Sequence, residues 1–91
     1  MIPFREDALR QWQELKNANP TATVGILFEG RYEFYNLDAN LLASGVSGVD
    51  YELVNMAIPA AVPMAAFPAA SSAAYVAALE ALGHTVILAE D

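Results

Sequence analysis

Val24-Gly25-Ile26-Leu27-Phe28-Glu29-Gly30-Arg31-Tyr32-Glu33-Phe34-Tyr35 is the stretch on which the fold turns. An apolar run over 24–28 meets Glu29-Gly30, and a second run leaves over 31–35. Two strand-like runs around a short glycine-containing turn predict a β-hairpin. The first run is almost wholly apolar and predicts a central strand. In the second, Arg31, Glu33 and Tyr35 fall on one side and Tyr32 and Phe34 on the other, because side chains alternate along a strand. The polar side is expected to face outward, either as a solvated strand face or as a contact surface.

The flanking segments read just as directly. Upstream, residues 5–18 predict a helix, with Ala8, Leu9, Trp12 and Leu15 on one face at helical spacing. Asn19-Pro20 ends it, since the residue before a proline is pushed out of the helical region. Trp12 reads as a core anchor. Downstream, Asp38 is a candidate N-cap for a short helix over 39–44, followed by a turn over 44–48. Residues 50–58 and 62–67 read as two strands joined by Pro59-Ala60-Ala61. Their prolines suggest edge positions, because proline cannot donate to a ladder. Ser71 or Ser72 is expected to cap a last helix running to about Leu82, with Tyr75, Val76, Leu79 and Leu82 on its buried face. Gly83 stops it as a left-handed glycine. The apolar run 85–89 predicts an interior final strand, with His84 at its start as a surface or capping residue. The order α-β-β-α-β-β-α-β makes an α+β (mixed α/β) domain, a small mixed sheet with packed helices.

The chain has 91 residues, room for a single domain over 1–91 and one core. Its hydrophobic fraction of 56%, much of it alanine, is high for that length: either the core is efficient, or apolar surface is covered by a partner or by a second copy, with a homodimer slightly favoured over a monomer. Net charge is −7. Arg5, Arg10, Lys16 and Arg31 are the only lysine and arginine residues, and none follows Arg31. A nucleic-acid interface draws its affinity largely from phosphate neutralisation, so any such patch must come from the first helix and the hairpin.

Several chemistries find no residues to carry them. The absence of cysteine removes disulfide and thiolate chemistry and fits a cytoplasmic protein. The N-terminal residues do not read as a signal peptide. The uncharged stretch 53–79 is broken by Pro59, Pro63 and Pro68, so no membrane span is expected. One histidine makes a zinc site improbable, and Asp50 with Glu52 is a thin basis for any other metal. No phosphate-binding loop and no nucleophile pattern is present. No cofactor and no enzymatic activity are expected.

Three blocks carry a resemblance. Arg31-Tyr32-Glu33-Phe34-Tyr35 followed by Asp38-Ala39 resembles the mismatch-contacting segment of the N-terminal domain of the MutS family, roughly Gly-Asp-Phe-Tyr-Glu-Leu-Phe-x-x-Asp-Ala. Ile58-Pro59-Ala60-Ala61-Val62-Pro63-Met64-Ala65-Ala66-Phe67-Pro68 resembles that family's Ile-Pro-Met-Ala-Gly-Ile-Pro. Tyr75, Leu79, Gly83 and the run 85–90 are similar in spacing to its last helix, glycine and strand. The likeness spans 9–90.

The resemblance implies the same mixed α/β architecture and a non-catalytic domain. In the family a Phe-x-Glu motif reads the mismatch: the phenylalanine stacks on the base and the glutamate hydrogen-bonds to it. Glu33 matches the glutamate and Tyr32 the residue between. The phenylalanine position holds Arg31, and Glu29-Gly30 stands where the family has Gly-Asp. Arginine can stack through its guanidinium plane, or pair with Glu33. Two functions follow. One is an accessory DNA-repair module binding mismatched double-stranded DNA weakly and salt-sensitively through Arg31, Tyr32 and Glu33, with phosphate contacts from Arg5, Arg10 and Lys16. The alternative is a protein-interaction module that keeps the fold and has lost base reading, its acidic surface meeting a basic partner. Convergence of the basic residues beside the hairpin favours the first. Pairing with acids favours the second.

Overall fold

A computed structural model of the chain describes residues 4–56 and 61–90. Helix α1 (Arg5–Ala18) leads into strand β1 (Thr23–Phe28), which turns into β2 (Arg31–Tyr35). Helix α2 (Asn36–Gly45) follows, then β3 (Asp50–Val54), β4 (Val62–Pro68), a short 3-10 turn, helix α3 (Ser72–Ala81) and β5 (Val86–Ala89). The mixed α/β order is the one the sequence predicts. Pro59-Ala60, within the expected connection, and Ile58 of the second resemblance block lie outside the described residues.

The hairpin closes through Glu29 and Gly30 at φ 52° and 78°. Two left-handed residues make the turn whose twist matches that of the flanking strands. The five strands lie in the order β3-β4-β2-β1-β5. Neighbours are antiparallel except β1 and β5, which run parallel in the register Val24↔Ile87. Helix α1 covers one face, where Trp12 packs with Val24, Ile26, Tyr35 and Met64. Helices α2 and α3 cover the other, where Leu42 and Leu79 pack with Phe34, Ala65 and Phe67. The ring of Tyr75 on α3 stacks on Phe67 with centroids 4.6 Å apart. Gly25 is required between these layers, because a Cβ there would sit 2.6 Å from the Phe34 ring.

Two strand placements differ from expectation. Strand β5 is apolar but forms a sheet edge, because α3 carries the chain across the sheet and sets it down beyond β1. The proline-flanked β4 is interior, between β3 and β2. Register explains how it tolerates proline. Met64 pairs with Tyr35, the last residue of β2, so the side of Pro63 that lacks an N–H points past the end of that strand. Only β3 of that pair is an edge.

The helix ends follow similar logic. Glu6 and Asp7 in the first turn of α1 and Lys16 in its last turn complement the helix dipole. The Asn19 N–H bonds back to the Leu15 carbonyl at 2.8 Å and closes the helix where the sequence places the stop. At the end of α3, Gly83 has φ 91°, its N–H reaches the Glu80 carbonyl, and the His84 N–H reaches that of Leu79. This pair of bonds is a Schellman cap. Ser71 occupies the N-cap position of α3 without a side-chain bond. Leu82, expected in the buried face, is 54% exposed. Among the described residues no helix is long and apolar enough to cross a membrane.

Candidate functional site: the buried carboxylates under helix α1

Arg31 and Glu33 share a face, as strand alternation requires, but that face lies under α1 and not toward solvent. Glu33 is 0% exposed. Its Oε1 accepts from Arg5 Nε at 3.0 Å and from the Tyr35 hydroxyl at 2.7 Å. Its Oε2 accepts from Arg5 Nη2 at 2.9 Å and from Arg31 Nη2 at 3.0 Å. Arg5 at the start of α1 thus grips the carboxylate with both prongs of its guanidinium, the geometry in which such pairs are strongest. Its guanidinium carbon also lies 5.0 Å from the centre of the Phe28 ring. Arg31 reaches further to Asp50 Oδ2 at 3.5 Å. Two arginines and two carboxylates therefore form a chain of balanced charge.

The protonation behaviour follows from these contacts. The hydrogen bond to Glu33 holds the Arg5 guanidinium protonated even more firmly than usual, against an opposing effect of burial. Burial first, and then the bond to Glu33, pushes the Tyr35 phenol well above its ordinary range. Tyr35 is accordingly a fixed donor.

A second carboxylate lies beyond the first. The edge of the Trp12 ring meets Tyr35 with centroids 6.4 Å apart. Trp12 Nε1 donates to Asp38 Oδ2 at 3.1 Å, and the Val24 N–H donates to the same oxygen at 3.0 Å. Lys16 Nζ donates to Asp38 Oδ1 at 2.8 Å and also to the Ala22 carbonyl. Asp38 is not the expected N-cap. The chain turns at Asn36, φ 53°, and the helix begins there, so Asp38 falls in the first turn of α2 with its carboxylate buried. It joins α1, β1 and α2 in one hydrogen-bonded node. Buried polar groups that are fully paired hold a unique arrangement, and here no described buried side-chain polar atom lacks a partner.

Tyr32 lies on the opposite face of the sheet, its ring 6.1 Å from that of Phe67, and its hydroxyl donates to Glu90 at 3.1 Å. Burial and that bond raise its phenol pKa. Arg10 is exposed on α1 and pairs with Asp7 at 2.8 Å. Arg5 and Lys16 stand at opposite ends of α1, about 16 Å apart at 1.5 Å per residue. The sheet thus brings Arg5, Arg31 and Glu33 together, puts Tyr32 behind them, and leaves Arg10 and Lys16 outside the group. Each of the four basic residues carries a carboxylate partner. Among the described residues no three histidine, aspartate or glutamate side chains gather as a metal site would require.

The roles of Arg5 as the clamp on Glu33 and of Asp38 as a buried node escape a reading of the sequence. A usable signal exists for Glu33: it is an acid two residues from Tyr35 on one strand face, and buried carboxylates need donors. No local pattern points to Asp38, because its donors come from three separate segments.

The family model described as MutS domain I matches residues 6–91 of the chain. No curated protein matches it.

Proposed function

The chain belongs to the MutS domain I family, and we propose that it is a single, non-catalytic domain working as a protein-interaction module in which the base-reading residues have become structural. The burial of Glu33 carries this reading. A glutamate that reads a base must offer an oxygen to DNA, whereas both oxygens of Glu33 are occupied by Arg5, Arg31 and Tyr35. Presenting it would require breaking that charge cluster.

The electrostatics agree. Counterion release needs cations free to meet phosphates. The four available are tied to carboxylates in a chain of net charge −7. Such a surface repels a duplex and attracts a basic protein. The absence of cysteine fits work in the cytoplasm.

The second reading, an accessory module binding mismatched DNA, rests on the family, whose domain I is a non-catalytic DNA-recognition domain. One observation favours it: Arg31 is 30% exposed beside the hairpin turn, so its guanidinium has an open side. Titration of the protein with labelled homoduplex, mismatched duplex and single-stranded DNA at low salt separates the two. The interaction-module reading expects no mismatch-selective binding. Selective, salt-sensitive binding that is lost in Arg31→Ala would overturn it.

A further inference from the structure

The outer edge of β3 is where the interaction reading, on which this inference rests, finds a specific surface. No described strand pairs with that edge. The ladder register shows which backbone groups it offers. Leu53 stands opposite Pro63, which has no N–H to give. A residue opposite proline occupies a position where the two strands do not exchange hydrogen bonds. The N–H and C=O of Leu53, and by the two-residue period those of Tyr51, therefore point away from β4, toward the side on which no described strand lies.

The side chains sort in the same period. Tyr51 and Leu53 lie on the α2 side of the sheet, 48% and 63% exposed. They are two of the five exposed large apolar residues among those described, and they are neighbours on one strand face. Tyr51 is held in place by donating its hydroxyl to Asn40 Oδ1 on α2 at 2.9 Å. Asp50 and Glu52 lie on the α1 side and are exposed. Exposed edges are commonly protected by lysine, proline or a bulge. The segment Asp50–Val54 contains no lysine and no proline, and its pairing with β4 is unbroken over Asp50↔Ala66 to Val54↔Val62.

The charge pattern chooses the occupant. A second copy paired antiparallel through β3 in full overlap keeps the apolar side chains on one face and gathers the acids of both copies on the other. In that register Glu52 faces itself. Like charges directly opposite are destabilising, so full overlap with a second copy is disfavoured where a basic partner strand would be favoured. We propose that β3 docks an extended segment of a partner protein that alternates basic and apolar residues, adding a sixth strand to the sheet. Main-chain bonds from Tyr51 and Leu53 hold the segment, basic side chains meet Asp50 and Glu52, and apolar ones cover Tyr51 and Leu53. Strand addition of this kind takes affinity from the backbone and specificity from the alternating side chains.

The test is an amide NMR titration of the intact chain with an unlabelled peptide alternating lysine and valine, and with a control peptide alternating glutamate and valine. Shifts concentrated on β3, salt-sensitive and specific to the lysine peptide, are expected. Glu52→Lys should weaken binding about tenfold by exchanging an attractive cross-strand pair for a repulsive one. Leu53→Pro should abolish it by removing an outward N–H that β4 does not use. Shifts mapping elsewhere, equal affinity for the two peptides, or undiminished binding by Glu52→Lys would overturn the proposal. The DNA titration judges the interaction-module reading by itself: mismatch-selective binding rejects that reading, whereas a silent β3 with no DNA binding rejects only this docking edge.

Discussion

Glu33 and Glu52 face the same side of one sheet, on β2 and β3, with only β4 between them. One is fully buried and holds two arginines and a tyrosine; the other stands in solvent. Neither residue type nor strand period separates them. What separates them is the reach of α1, which runs over β1 and β2, brings Arg5 down onto Glu33, and stops short of the β3 edge. In this domain the same carboxylate is a strut where a helix covers the sheet and an open charge where none does. A carboxylate on a strand can thus be absorbed into the core when the overlying helix supplies a cation.

The comparison breaks most severely at the covered end. Asp38→Ala removes the acceptor for Trp12, Lys16 and the Val24 amide at once. Loss of one side of a buried ion pair costs about 3–5 kcal/mol, read as a fall in the urea unfolding midpoint. Glu33→Ala should cost slightly less, about 3 kcal/mol, because Arg5 and Arg31 can turn toward water once released. The double variant Glu33→Leu with Arg5→Met sharpens the point: it should recover most of that loss, since an apolar pair of similar volume needs no charge compensation. Failure to recover would mean that the cluster contributes more than paired desolvation.

Tyr35→Phe deletes one hydrogen bond to Glu33 and should cost about 1 kcal/mol at neutral pH. Its pH dependence is the stricter check. Burial and the bond to Glu33 raise the folded-state pKa of Tyr35 above the ordinary 10.0. A raised pKa means that the folded protein keeps a proton the unfolded chain releases. This contribution is fully present below pH ~10 and is lost as pH rises from there toward the folded value. Wild-type stability should therefore fall above pH ~10, and Tyr35→Phe should fall less steeply; identical slopes would contradict the burial of that hydroxyl. At the uncovered end, Glu52→Ala should change stability by no more than about 0.5 kcal/mol, as surface substitutions usually do. A loss comparable with that of Glu33→Ala would abolish the distinction between the two glutamates.

The local elements were legible because each rests on short-range chemistry. The Glu29-Gly30 turn needs two left-handed residues, α1 carries its apolar stripe and ends at Asn19-Pro20, and Gly83 accepts the conformation that stops α3. Strand placement was not. An apolar run such as 86–89 looks the same in a sheet centre as at an edge sandwiched by helices, and Pro63 of β4 is harmless only because β2 has already ended beside it. The candidate site was half visible. Alternation put Arg31 with Glu33 and set Tyr32 opposite, but could not say which side was covered.

By itself, then, the sequence determined the hairpin, the order of helices and strands, the family, and an acidic chain whose few cations lie near one end. Those depend on neighbours within a turn or two. Only the tertiary structure decided that Glu33 and Asp38 are buried, that all four cations are engaged, and that the outer edge of β3 has no partner among the described strands. Burial and pairing are properties of segments far apart in the chain, as Arg5 and Glu33 are, and they exist only once α1 has packed across the sheet.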